Sequence, residues 1–170
     1  ADAPLGLDGA PSILLLNAFA KNTDSGRCEL AVARLARHLQ REHKVRQSMN
    51  AMDIGLALNA FSKWSDNPDC QSMAHSFAEL LASNSRLRHA MDAQSIANTL
   101  NALSKWPDAK LCAAAASALA LRMATERTVC NAFKPQEVGN ALNALSKWPD
   151  APHCAAAASV WPDASKQVSS

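Results

Sequence analysis

The sequence predicts an all-α fold built from stacked helical repeats, and three observations lead to that prediction. A nine-residue motif, L-N-A-L-S-K-W-P-D, stands at residues 142–150 and again, letter for letter, at residues 100–108. Related copies stand at residues 58–66 and 16–24, and each copy follows the previous one by 42 residues without insertion or deletion. The apolar residues around each copy recur at helical spacing. A unit of this length cannot close a core of its own, so it must bury its apolar face on its neighbours.

The motif belongs to the first helix of each repeat, which we expect to end at the tryptophan. In the third repeat Asp92 is the expected N-cap, and Ile96, Leu100, Leu103 and Trp106 mark one apolar face at spacings of four, three and three. The N-cap positions of the other first helices are Asp8, Asn50 and Lys134. Alanine recurs on the opposite side of the helix in all four copies, at Ala18, Ala60, Ala102 and Ala144. Small residues there indicate that a second surface also comes close.

A turn and a second helix follow the motif. The same aspartate recurs in every turn, and we expect it to be the N-cap of the second helix, at Asp24, Asp66, Asp108 and Asp150. The second helix then carries apolar or small residues at helical spacing from a cysteine onward. A further pair four residues apart, such as Val45 and Met49, predicts a short third helix or an extension of the second. The sequence thus predicts a right-handed α-solenoid of about four 42-residue helical repeats, armadillo/HEAT-like in architecture.

We expect one solenoid domain over residues 1–162. Its repeats cover about 8–49, 50–91 and 92–133, with a truncated repeat at 134–162, and residues 163–170 are expected to form a frayed tail. Because the last repeat breaks off within its second helix, we expect the chain to be a piece of a longer array of repeats. The uncovered end could then also bind a second copy of the chain.

Composition and charge narrow the function classes. Seventeen basic against fifteen acidic residues give a net charge of +2, which lacks the strong basic excess of proteins that bind nucleic acid by bulk charge. No apolar run approaches the length of about 20 residues that a membrane crossing needs, so no membrane partner is expected.

A cysteine recurs at the same position of every repeat. The four residues are Cys28, Cys70, Cys112 and Cys154. Equivalent positions on packed helices lie about 8 to 10 Å apart, and a disulfide needs Cα atoms within about 7 Å. The pattern therefore indicates small buried residues in a reducing compartment rather than disulfides.

Three other recurring side chains are candidates for binding. The asparagines Asn17, Asn59, Asn101 and Asn143 could form a hydrogen-bond ladder between repeats, or could bind a partner's peptide or base edges. The lysines Lys21, Lys63, Lys105 and Lys147 form either a solvated row or a row that follows phosphates. The tryptophans Trp64, Trp106 and Trp148 are expected in the core, with a stacking platform for bases as the alternative.

No set of residues indicates catalysis. The five histidines share no repeat position, and no nucleophile or pair of carboxylates accompanies them. No cysteine or histidine spacing is typical of a metal site. We therefore expect no enzymatic activity, no cofactor and no metal.

The run S-K-W-P, at residues 104–107 and 146–149 within a 42-residue period, resembles the SKWP repeat family of type III secreted effectors from plant-pathogenic bacteria. The resemblance implies a secreted protein that reaches the cytoplasm of the host plant cell, contributes to virulence, and binds a host protein without catalytic residues. The first two copies depart from the pattern as A-K-N-T and S-K-W-S. The run N-T-L-N-A-L-S-K at residues 98–105 also resembles octotricopeptide repeats of organellar RNA-binding proteins, which implies single-stranded RNA as the alternative partner.

Overall fold

The computed structural model of the protein describes Gly6 and residues 9–160, and this part of the chain is all-helical. The first repeat contributes α1 (Gly9–Ala20), α2 (Gly26–Arg41) and α3 (His43–Ser48). The second contributes α4 (Ala51–Phe61), a 3-10 turn (Ser62–Trp64), α5 (Pro68–Ser83) and α6 (Ser85–His89). The third contributes α7 (Ala93–Leu103), α8 (Lys110–Thr125) and α9 (Arg127–Ala132), and the last α10 (Pro135–Leu145) and α11 (Cys154–Ala158). The predicted all-α fold is confirmed, and the third helix of each of the first three repeats is a separate element.

Helices of the same kind pack on one another from repeat to repeat. The first helices form one series, in which α1 contacts α4, α4 contacts α7, and α7 contacts α10. The second helices form another, in which α2 contacts α5, α5 contacts α8, and α8 contacts α11. The core lies where first and second helices meet, and it includes Leu58, Phe61, Phe77 and Leu100, all fully buried. The recurring leucine and phenylalanine positions thus bury the apolar face that their spacing predicted.

The first helices begin where the sequence predicts. The Asn50 side chain accepts a hydrogen bond from the Asp53 N–H at 2.9 Å, and Asp53 accepts one from the Asn50 N–H in return. Asp92 accepts from the Ser95 N–H at 2.8 Å. At Lys134 the capping acceptor is Glu137, which accepts from the Lys134 N–H. The fourth position, Asp8, and the expected tail at 163–170 lie outside the described residues.

The aspartates at the start of the second helices are not N-caps, so that prediction is wrong by one residue or more. The N-caps are Ser25, Asn67, Ala109 and His153, whereas the predicted ones were Asp24, Asp66, Asp108 and Asp150. The reason is the turn that follows each tryptophan. The N–H of Asn67 donates to the carbonyl of Trp64 at 3.0 Å, which places Asp66 inside the turn. The Asn67 side chain then accepts from the N–H groups of Asp69 and Cys70 and begins α5.

The first helices also end earlier than predicted. In the third repeat α7 ends at Leu103, and a bond from the Trp106 N–H to the Leu103 carbonyl tightens the last turn. The serine of the motif contributes to this end. Its hydroxyl donates to the backbone carbonyl of the asparagine three residues earlier at 2.7 to 2.8 Å, in the pairs Ser62–Asn59, Ser104–Asn101 and Ser146–Asn143. None of the helices between residues 9 and 160 has the length and apolar character that a membrane span requires.

Candidate interaction face

Each first helix exposes one stripe of side chains, and we call the four stripes together the first-helix face. The stripe uses four positions at spacings of four, three and four residues; the first three lie on one side of the helix, and the fourth lies one or two residues beyond its end. Its members are Ala10, Leu14, Asn17 and Lys21; Met52, Leu56, Asn59 and Lys63; Gln94, Asn98, Asn101 and Lys105; and Gln136, Asn140, Asn143 and Lys147. Because consecutive first helices pack together, the four stripes lie on adjacent helices.

The chemistry of the first-helix face changes along the chain. In the first two repeats the first two positions of each stripe are apolar, and among them Leu14 is 71% exposed and Met52 is 63% exposed. In the last two repeats the same positions carry exposed amides, at Gln94, Asn98, Gln136 and Asn140. A shallow groove of about 210 Å³ lies where the two halves meet, between Met52, Leu56 and Asn59 on one side and Gln94 and Asn98 on the other.

Charge is confined to the two edges of the face. The lysines lie one or two residues beyond the carboxyl ends of the first helices, and all four are exposed. The amino ends carry Asp53, Asp92 and Glu137, whose carboxylates accept the capping bonds. Hydrogen bonds from Ser95 hold the pKa of Asp92 below its ordinary value. The face between these edges is neutral, so it can bind apolar and hydrogen-bonding groups without a charged partner.

The asparagines of the motif lie within the first-helix face. Asn17, Asn59 and Asn101 are half-buried, and Asn143 is exposed. Within residues 9–160 none of these four amide side chains hydrogen-bonds to another residue, so the ladder predicted for them is not formed there. Their amides are therefore available to a ligand.

Two of the tryptophans form hydrogen bonds between repeats. The indole N–H of Trp106 donates to the carbonyl of Ser65 at 3.0 Å, and that of Trp148 donates to the carbonyl of Pro107 at 2.9 Å. Each bond reaches the residue that follows the tryptophan position of the preceding repeat. Trp106 and Trp148 are buried, so their rings are not free to stack on bases, and Trp64 is half-buried. The sequence does not predict these bonds, because it does not show which backbone carbonyl an indole N–H reaches.

The recurring cysteines are packing residues. Cys70, Cys112 and Cys154 are buried, Cys28 is half-buried, and all five cysteines of the chain are free thiols. Burial raises the pKa of Cys112 to about 12, and burial together with Asp69 and Glu29 does the same for Cys70. Such thiols stay protonated and unreactive at neutral pH.

The described residues contain no group of three histidine, cysteine or acidic side chains that could hold a metal ion. Comparisons with protein-family models, with curated proteins and with solved structures find no match for this chain. The likeness to the SKWP family therefore rests on the motif and its 42-residue period.

Proposed function

We propose that this chain is a non-catalytic interaction module, a right-handed α-solenoid of the SKWP-like kind, whose first-helix face binds a host protein. On this proposal it acts inside the host cytoplasm after secretion through a type III system and contributes to virulence. The support for the solenoid is the 42-residue period together with the side-by-side packing of helices of the same kind.

The observation that carries the proposal is the apolar half of the first-helix face. Leu14 and Met52 lie on the neighbouring first helices α1 and α4, and each residue is more than half exposed to solvent. Exposed apolar side chains beside polar amides are typical of protein-binding surfaces. A surface that binds RNA through phosphates would instead need a continuous basic groove.

The test changes both residues together, as Leu14→Asp with Met52→Asp. Leu30→Asp is the matched control, because Leu30 is 67% exposed but lies on α2, outside the face. Each purified chain is immobilised and incubated with plant extract, and proteins retained after a salt wash are quantified by mass spectrometry. We expect a protein retained by the unchanged chain and the control to be lost from the double variant. Equal retention by all three would refute the assignment of the face.

The alternative partner, single-stranded RNA, is favoured by the second half of the face. There, two successive repeats present a glutamine, two asparagines and a lysine, groups that can bind base edges and phosphates. The test is binding to a random single-stranded RNA pool over a salt series, with Lys63, Lys105 and Lys147 changed to Glu in the control. Tight binding that weakens with salt and is lost in this variant would replace the host protein by RNA as the partner.

A further inference from the structure

A cleft of about 490 Å³ lies between the first and second repeats, away from the first-helix face. It is bounded by α3 on one side and by α5 and α6 on the other. Apolar side chains form part of its lining, namely Met49, Phe77, Leu80 and Leu87. Glu79, on α5, is exposed and contributes a carboxylate to the lining.

At the next junction, between the second and third repeats, an arginine of the chain itself occupies the equivalent place. Arg122 stands 42 residues after Leu80, and its side chain is only 10% exposed. Its Nη1 donates to the carbonyl of Arg88 and, at 2.6 Å, to that of Met91. Its Nε donates to Glu126 at 3.0 Å, and that carboxylate also lies 3.3 Å from His89.

The first junction has the same backbone frame without the arginine. The residues equivalent to Arg88 and Met91 are Arg46 and Met49, and both line the cleft. The frame is held in the same way at both junctions. The Nη1 of Arg88 donates to the carbonyls of Leu81 and Ala82, and the Nη1 of Arg46 donates to those of Leu39 and Gln40.

The side chains that neutralise the second junction are also missing from the first. Leu80 stands in place of Arg122, and Asn84 in place of Glu126. Glu79, one residue before Leu80, is the acidic side chain that lines the first cleft. By equivalence with the second junction, Arg46 and Met49 offer two backbone carbonyls to the cleft, and Glu79 and the apolar side chains complete a set that matches a cation on an alkyl stem. His43 and Arg46 are the basic residues of the lining, and the Arg46 guanidinium is bonded to the carbonyls of Leu39 and Gln40.

We propose that this cleft binds an arginine side chain of a partner protein, in the manner in which the next junction holds Arg122. The carbonyls of Arg46 and Met49 accept the guanidinium N–H groups, Glu79 supplies the negative charge, and the apolar side chains cover the methylenes. A planar guanidinium can reach two carbonyls and a carboxylate at once, which an ammonium group does less well. The site uses other helices than the first-helix face and does not depend on the partner proposed there.

The test uses Nα-acetyl-arginine methylamide as the probe, titrated into the ¹⁵N-labelled chain and followed by amide NMR shifts. The matched control is the citrulline analogue, which keeps the shape of the side chain but has no charge. We expect shifts at residues of the cleft, including Met49 and Leu80, and binding of the citrulline analogue about tenfold weaker, because charged hydrogen bonds are the stronger ones. No shift at the cleft, or equal binding of both probes, would overturn the proposal.

Three variants complete the test. Leu80→Arg, which supplies the missing side chain from within, should abolish binding, and Glu79→Gln should weaken it at an exposed position where folding is not at risk. Arg122→Leu should open the second junction and raise the stoichiometry from one probe per chain to two. Amide spectra of each variant show whether it is folded. If folded Glu79→Gln and Arg122→Leu chains both bind like the unchanged protein, the cleft is not an arginine site.

Discussion

Replacing Trp106 by phenylalanine tests whether the indole bonds join the repeats. The substitution keeps an aromatic ring in the core but removes the N–H that donates to the Ser65 carbonyl at 3.0 Å. Trp106 is 5% exposed, so a smaller ring also loses packing. Trp64 provides the matched control, because it is half-buried and its indole makes no hydrogen bond within the described residues.

The expected cost follows from the two losses. A missing hydrogen bond to a half-buried carbonyl, which water can partly replace, costs about 1 kcal/mol. The smaller ring adds up to about 1 kcal/mol of lost apolar burial. Trp106→Phe should therefore destabilise the chain by about 1 to 2 kcal/mol, and Trp64→Phe by less than about 1 kcal/mol, since only the ring term applies.

The assay is urea denaturation followed by far-UV circular dichroism, because tryptophan fluorescence would change with the substitution itself. Hydrogen exchange adds a local measurement, since repeat proteins can open one junction at a time. Faster exchange in Trp106→Phe should be centred on the turns after Trp64 and Trp106. Equal destabilisation by Trp106→Phe and Trp64→Phe would refute the role of the indole bond.

Three further predictions concern single side chains. Asp92→Ala should cost about 1 kcal/mol at pH 7 and Asp108→Ala less than about 0.5 kcal/mol, because only Asp92 caps a helix; equal urea midpoints would contradict this. The pKa of Asp92 is lowered, so its contribution is present above the ordinary pKa of 3.8 and is lost as pH falls through the lower folded value. The pKa values of Cys70 and Cys112 are raised from 9.0 to about 12, so the contribution of these two thiols to folding stability is fully present below pH 9.0 and is lost as pH rises toward 12. Urea unfolding of Cys70→Ala and Cys112→Ala over this pH range should therefore show a weaker pH dependence than unfolding of the unchanged chain. Gly139→Ala should raise the free energy of unfolding by about 0.5 to 1 kcal/mol and with it the thermal midpoint, since Gly139 is an exposed helical position where an added Cβ meets open space. A lower midpoint would contradict this.

The sequence predicted the helices well because their apolar spacing and their 42-residue period agree. Asn50 and Asp92 could be recognised as N-caps, since a capping side chain bonds to backbone only three residues away. Asp66 could not be distinguished from Asn67 in the same way. Both residue types cap helices, and the turn closed by the Asn67 N–H, which decides between them, is a matter of backbone geometry.

The candidate site was less predictable because it depends on which side of each helix remains exposed. The sequence identified the asparagines and lysines but gave no reason to group them with Met52 or Gln94. Packing of first helices on both flanks of α4 and α7 leaves one narrow stripe of each exposed, and only that packing brings these positions onto one surface. The cleft beside Leu80 depends on backbone carbonyls, which no residue type reveals.

The positions that repeat and the positions that vary have different roles in this chain. The repeated serine and tryptophan bond to carbonyls of the backbone, and the repeated cysteine packs in the core. The variable positions lie on the first-helix face and at the junctions: Met52 is replaced by Gln94 one repeat later, and Leu80, which lines the cleft, by the largely buried Arg122. A partner that contacted only the repeated side chains would bind every repeat equally well. Under the proposed function, specificity comes from the variable positions, and Met52→Gln should lower the amount of partner retained from plant extract while leaving the repeat junctions intact.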